Sequence, residues 1–214
     1  MRRRENDIFS DDNKNSNNNY NWEYRGTVIP FIVVVALISE IIFLGFFFTG
    51  KIQKYVYPQK FSETVYKYSG EYDVPIALVY ATMKTESDFD CNAVSSAGAC
   101  GIMQIMPGTF ETIADDLSED VSPSDIFNPQ INIKYGIIYL SEQYKSFGCW
   151  EYAILAYNAG PQRVSQWLDD NKINVSENRW DIPIEESADY IKKIRKCADK
   201  YSRIYDMEEI KWKS

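Results

Sequence analysis

The sequence predicts a mainly α domain carried on one N-terminal transmembrane helix. Three observations lead there. Residues 28–49 form an apolar run of 22 residues broken only by Glu40. At about 1.5 Å per residue, a helix of that length reaches across a hydrocarbon core of about 30 Å. Beyond the run, apolar residues recur at helical spacing in one segment after another, with Pro and Gly where helices start and stop. Finally, 45% of the 214 residues are hydrophobic, enough for a sizeable core.

The elements follow in order. Residues 1–26 read as a disordered cytoplasmic tail, because the polar, Asn-rich tract 11–19 cannot bury enough apolar surface to fold. Residues 27–50 read as the transmembrane anchor. A cleaved signal peptide would have a shorter apolar run and a small-residue cleavage site. Glu40 is a carboxylate inside the span, either tolerated by its apolar surroundings or facing a partner helix. Residues 51–58 read as a linker, 59–207 as the folded domain and 208–214 as a C-terminal tail. Within the domain, 61–72 predicts a helix. Asp73-Val74-Pro75 predicts the start of another, with Ile76, Val79, Tyr80 and Met83 on one face and an end near Glu86. Residues 88–104 predict a loop with short strands, and 109–116 a short helix. Asn128-Pro129 starts a helix that stops at Gly148. Segments 150–158, 161–169 and 185–205 complete the set. The last turns Ile191, Ile194, Ala198, Tyr201 and Tyr205 toward the core.

Composition excludes several kinds of chemistry. The chain has no His, which removes Ser-His and Cys-His nucleophilic pairs and His-based zinc sites. A net charge of −8 argues against nucleic acid, whose phosphates call for clustered cations. Five cationic residues (Arg2, Arg3, Arg4, Lys14, Arg25) precede the span and four (Lys51, Lys54, Lys60, Lys67) follow it closely. That bias places the N-terminus inside. All four cysteines, Cys91, Cys100, Cys149 and Cys197, follow the span. An even number on one side of a membrane predicts two disulfides in an oxidising space. Of the three possible pairings, Cys91–Cys100 and Cys149–Cys197 are expected. The first brackets the start of a Gly-rich loop and the second ties two helices together. Their spacing lacks the C-x-x-C pairs of a zinc site.

The candidate chemistry centres on Glu86. It lies at the end of a predicted helix, nine residues before Ser95-Ser96-Ala97-Gly98-Ala99-Cys100-Gly101-Ile102-Met103-Gln104-Ile105-Met106-Pro107. A carboxyl sheltered by Ile, Met and small residues holds its proton more tightly than one in water. Such an acid can protonate a leaving oxygen, as glycosidic cleavage requires. Glu86-Ser87, then Ala93-Val94-Ser95 with Gly98-Ala99 and Gly101 to Pro107, then Ala156-Tyr157-Asn158-Ala159-Gly160, then Glu186-Ser187-Ala188-Asp189-Tyr190-Ile191, stand in this order. Together they resemble the soluble-lytic-transglycosylase group of glycoside hydrolase family 23, over roughly 61–205. Ala188 departs from the Arg or other polar residue usual in that group.

The resemblance implies a lysozyme-like α+β domain of the goose-type lysozyme and transglycosylase architecture. It implies Glu86 as the single acid/base acting between N-acetylmuramic acid and N-acetylglucosamine. The substrate's acetamido group would stabilise the cation, and the same Glu would then deprotonate the C6 hydroxyl and close a 1,6-anhydro ring. It implies Ser95, Gln104, Met106, Tyr157 and Asn158 on the sugar, with the Tyr157 hydroxyl near Glu86. Gly98, Gly101, Glu186 and Tyr190 would support them, and Met103 with Met106 would give the acid an apolar wall. Cys91 and Cys100 both depart from the usual residues at their positions, which favours their pairing. No metal or organic cofactor is implied. The expected partners are peptidoglycan strands and the membrane, with the domain extracellular or periplasmic. Wall remodelling and gap-making for an envelope-spanning machinery both fit. Two alternatives stay open: a hydrolytic muramidase with Asp88 or Asp90 as water-activating base, and a non-catalytic wall-binding scaffold.

Overall fold

A computed structural model describes residues 19–176 and 179–212. Most of the expected disordered tail lies outside the described residues. The chain divides into two units, residues 1–52 and 53–214. In the first, helix α1 (Asn19–Val56) carries the apolar run. It is the one helix among the described residues long and apolar enough to cross a membrane. α1 begins before the expected anchor and continues through Val56, so most of the expected linker 51–58 is helical. The reason is local: Lys51 to Val56 contains good helix formers and no breaker before Pro58.

The second unit is helical, with one small hairpin. Its elements are α2 (Ser62–Glu71), α3 (Ile76–Ser87), α4 (Pro107–Leu117), a 3-10 turn (Pro123–Phe127), α5 (Pro129–Phe147), α6 (Trp150–Ala159) and α7 (Pro161–Asp169). The antiparallel strands β1 (Asn174–Ser176) and β2 (Arg179–Asp181) follow, then α8 (Glu185–Tyr205). Val175 pairs with Trp180. α4 starts at Pro107, two residues before the sequence reading places it, because Pro suits the first helical position. α5 is closed at both ends. The Asn128 side chain accepts from the Gln130 and Ile131 amides, and Gly148 ends the helix at φ 72°.

α3 is the central helix. Every residue from Ala77 to Met83 is buried, so it has no solvent face there. It packs mainly on α8, and α5 packs mainly on α6. The core joins Leu78, Tyr80 and Met83 of α3 to Ile133, Ile137 and Leu140 of α5, Ile154 of α6, and Ile191, Ile194 and Tyr201 of α8. Tyr80 and Tyr201 stack with ring centroids 5.2 Å apart. The C-terminal segment is not a loose tail. Ile210 is buried in the core, and the Trp212 indole donates to Asp199 at 3.2 Å.

The expected disulfides are a correction: none joins the four cysteines. Each thiol has its own surroundings. Cys100 donates to the Gly98 carbonyl at 3.4 Å, while Cys91 lies near Asp90 and Lys60. Cys197 is buried on α8 beside Lys84 and Asp88, and Cys149 precedes α6. Burial pushes the Cys197 thiol up to about 11. With no disulfide formed, the cysteines do not identify an oxidising compartment.

Two glycines in the loop after α3 separate backbone strain from steric exclusion. Gly98 and Gly101 both have positive φ, 88° and 79°. A Cβ on Gly98 would meet nothing within 4 Å, whereas one on Gly101 would lie 2.4 Å from Asn132 Nδ2 and 2.7 Å from the Ile126 carbonyl oxygen. Gly98→Ala is therefore expected to cost about 1 kcal/mol of strain. Gly101→Ala is expected to cost about 3 kcal/mol or more, because a buried hydrogen-bonded neighbour must also move. Urea unfolding of the two variants checks this, and equal losses would refute it.

Candidate active site

Glu86 is the penultimate residue of α3, where the buried helix reaches the surface of the core. The chain turns away at once: Asp88 and Phe89 both adopt positive φ, 51° and 68°. Ser87 fixes this end, its Oγ donating to the Ile102 carbonyl at 2.8 Å. The helix terminus is thus tied to the loop that follows.

That loop is held by its own polar groups. The Ser95 hydroxyl accepts from the Ala99 amide at 3.0 Å, and Ser95 N–H donates to the Ala99 carbonyl at 2.9 Å. Cys100 and Ile105 exchange two backbone hydrogen bonds of 2.9 Å. Gln104 sits at φ 52° and donates through Nε2 to the carbonyls of Ala93 and Gly101, at 3.1 and 2.8 Å. Asn132, fully buried on α5, joins the loop to the core. Its Oδ1 accepts from the Met103 amide at 2.8 Å, and its Nδ2 donates to the Cys100 and Ile126 carbonyls at 3.1 and 2.7 Å. Leaving such buried partners unsatisfied costs roughly 1–3 kcal/mol each.

Two tyrosines meet the acid. Tyr190 on α8 donates its hydroxyl to Glu86 Oε1 at 2.5 Å. Tyr157, near the end of α6, donates to the Met103 carbonyl at 2.7 Å and lies close enough to Glu86 to feel its charge. Burial, then the Glu86 charge, push both phenols well above their ordinary range, so both stay protonated donors. Asn158 Oδ1 accepts from Ser187 Oγ at 3.0 Å, joining the end of α6 to the start of α8.

Burial raises the Glu86 carboxyl to about 7 from an ordinary 4.5. The Tyr190 hydrogen bond and the Lys193 charge favour the anion and oppose this, but desolvation is the largest influence. Among the described residues, the groups acting on Glu86 are Tyr190 and Lys193. Asp88 pairs with Lys84 at 2.7 Å, and Asp90 accepts from the Asn92 amide at 2.9 Å. Both are exposed. Glu86 is therefore an acid poised to give a proton near neutral pH and, once ionised, to take one back.

The structure brings Glu86, Tyr157 and Tyr190 together, as the motifs predict, and connects Met103 to them. Met106, 45% exposed at the start of α4, remains accessible to a ligand. Gly98 and Gly101, expected as supports, both lie at positive φ. Ser95 and the Gln104 amide nitrogen, expected on a sugar, make hydrogen bonds that build the loop. Glu186, expected as a support, is exposed on the first turn of α8, and its neighbour Ser187 makes the contact. Asn132 escaped sequence reasoning, although a polar residue beside Ile133 and Ile137 on a buried helix face was a visible signal.

Residues 63–179 match the family described as Transglycosylase SLT domain. The soluble lytic murein transglycosylase of Escherichia coli K12 is 31% identical over 154 residues, covering 70% of this chain and 24% of that protein. The membrane-bound lytic murein transglycosylase C of Histophilus somni strain 2336 is 29% identical over 178 residues, covering 70% of this chain and 48% of that one. The crystal structure of the 70 kDa soluble lytic transglycosylase from Escherichia coli superposes with a TM-score of 0.67 at 28% identity. That match covers 75% of this chain and 28% of that one. The chain thus spans about a quarter of the length of the soluble relatives and about half that of the membrane-bound one.

Removing the Tyr190 hydroxyl tests the balance at the acid. Tyr190→Phe deletes a donor that stabilises the carboxylate, so the Glu86 pKa is expected to move upward from about 7. Carbon NMR of labelled glutamate follows the titration directly, and a downward shift would contradict the assignment.

Proposed function

Because this chain belongs to the transglycosylase SLT family, we propose that it is a membrane-anchored lytic transglycosylase of peptidoglycan. Glu86 serves as its single acid/base. The observation that carries this reading is a sheltered carboxyl, raised to about 7 by burial, with a tyrosine hydroxyl on one oxygen and, among the described residues, no second carboxylate acting on it.

The protonated acid gives its proton to the oxygen joining N-acetylmuramic acid to N-acetylglucosamine. An oxocarbenium-like centre develops at the muramyl C1, and the sugar's own acetamido oxygen stabilises it. Glu86, now ionised, receives the C6 hydroxyl proton as the C6 oxygen bonds to C1. The proton balance closes on one side chain, and the product carries a 1,6-anhydro ring. No water enters. Tyr190 fits both halves, because its hydroxyl donates to the carboxylate in the interval between the two transfers. A hydrolytic route would call for a second carboxylate to activate water, and the occupied positions of Asp88 and Asp90 speak against it.

Met106 and Asn158 are the exposed groups we assign to the glycan, with Tyr157 holding the loop beneath it. α1 supplies the anchor, in keeping with the membrane-bound relative. The N-terminus lies on the cytoplasmic side and the catalytic unit on the wall side, where its substrate is. The five cations before the span against four after it support that orientation. Wall cleavage by a tethered enzyme suits remodelling near the membrane, or local opening of the wall for an envelope-spanning apparatus.

Mass spectrometry of muropeptides released by the full chain tests the reaction. The expected products end in anhydromuramic acid, one water lighter than reducing ends, and Glu86→Gln releases none. Reducing ends alone would make the protein a muramidase. The pH dependence has a definite sign. The free enzyme needs Glu86 protonated, so kcat/KM is expected to fall as pH rises through about 7. A profile flat through neutrality would remove Glu86 from the role of acid.

A further inference from the structure

We propose that the first residues of the catalytic unit form a Lys–Tyr collar that seats on anionic phospholipid headgroups, with Lys54, Tyr55, Lys60 and Tyr66 as its contacts. The inference rests on the membrane reading above and adds a second, specific contact with the bilayer surface.

The collar is built into the fold. Tyr205 at the end of α8 donates its hydroxyl to the Tyr57 carbonyl at 2.7 Å, and Tyr201 donates to the Pro58 carbonyl at 3.1 Å. The Tyr57 ring meets Tyr201 edge-on at 5.5 Å. Lys54 Nζ lies 5.5 Å over the Tyr205 ring. Gln59 Nε2 donates to the Tyr66 hydroxyl at 3.2 Å, which holds Tyr66 beside this segment. Residues 54–59 are therefore fixed on the catalytic unit by side chains from α2 and α8.

Chemistry identifies the occupant. No acidic residue stands between Glu40 and Glu63, although the chain as a whole carries −8. Lys54 and Lys60 are exposed in that interval. Tyr55 is 87% exposed and Tyr66 49%, which is unusual for large aromatic side chains in a unit that buries most of its others. Exposed tyrosines with lysines at the end of an apolar helix match the belt where rings sit at headgroup depth and cations meet lipid phosphates. The candidate span ends at Val56, inside the same segment, so the collar follows directly on the stretch proposed as the anchor.

Hydrogen exchange on the full chain reconstituted in vesicles tests the proposal. One preparation is phosphatidylcholine alone, and the other contains about one third phosphatidylglycerol. Amides in peptides spanning 57–68 are expected to exchange about tenfold more slowly on the anionic vesicles, while those of α5 are unchanged. The variant Lys54→Gln/Lys60→Gln is expected to float with both vesicles and to lose the difference. Equal exchange on the two vesicles, with the chain floating, would overturn the collar and leave the membrane reading standing. A chain that does not float with either would overturn both.

Discussion

The carboxamide of Asn132 is the contact on which the site's geometry depends. One buried side chain accepts from the Met103 amide and donates to the carbonyls of Cys100 and Ile126. These partners belong to the loop after α3 and to the turn before α5, two stretches with few backbone ladders of their own. The next links follow from the first. With residues 100–103 fixed, Ile102 presents its carbonyl to Ser87 and Met103 presents its own to Tyr157. The loop therefore closes against both the end of α3 and the end of α6. Gly101 is small because Asn132 occupies the space where a Cβ would stand. Gly136 yields room to Met103 in the same way. An apolar residue at 132 would fill the volume but take away the partner of the Met103 amide and of the Ile126 carbonyl, which is why packing alone cannot replace it.

Glu86 shows how a fold sets an acid without a neighbouring anion. Two nearby influences favour the carboxylate, the Tyr190 hydroxyl and the Lys193 charge, yet the group titrates near 7. Desolvation outweighs them because α3 is buried from Ala77 to Met83 and carries its carboxyl on the turn that follows. A repelling second carboxylate would raise the pKa as well, but it would also remain in the site to attract water or bind a cation. Raising the pKa by burial needs no such group beside the carboxyl. The Tyr190 hydrogen bond then limits how far burial can push, so that the ionised state stays within reach.

The sequence made the helices legible where punctuation and period agreed. α5 lies between Asn128-Pro129 and Gly148, α7 begins at Pro161, and α8 carries a regular stripe from Ile191 to Tyr201. Glu86, Tyr157 and Tyr190 were legible from motifs, and the structure gathers them around one carboxyl. Other features had no local signal. Three-residue strands are too short to show alternation, so the hairpin 174–181 went unseen. The partners of Ser95 and Gln104 are backbone carbonyls and amides of their own loop, which no residue pattern encodes. Cysteine number and order along the chain do not fix where thiols point, and the expected pairs are not formed. The expected linker at 51–58 was read from its position between two units. Its helix-forming residues and the hydroxyls of Tyr201 and Tyr205 decide otherwise.

α8 draws these threads together. Ser187 on its first turn holds Asn158, Tyr190 one turn later holds Glu86, and Tyr201 and Tyr205 at its far end hold the carbonyls of Pro58 and Tyr57. From Tyr190 to Tyr205 is fifteen residues, about 22 Å of helix. A free linker of eight residues would have an end-to-end distance of about 16 Å and change direction at every residue. Here Tyr57 and Pro58, at the end of that stretch, are held by α8, the helix that also carries Tyr190. The separation between acid and chain entry is thus set by one rigid element. Under the tethering proposed above, that separation would decide which glycan strands come within reach.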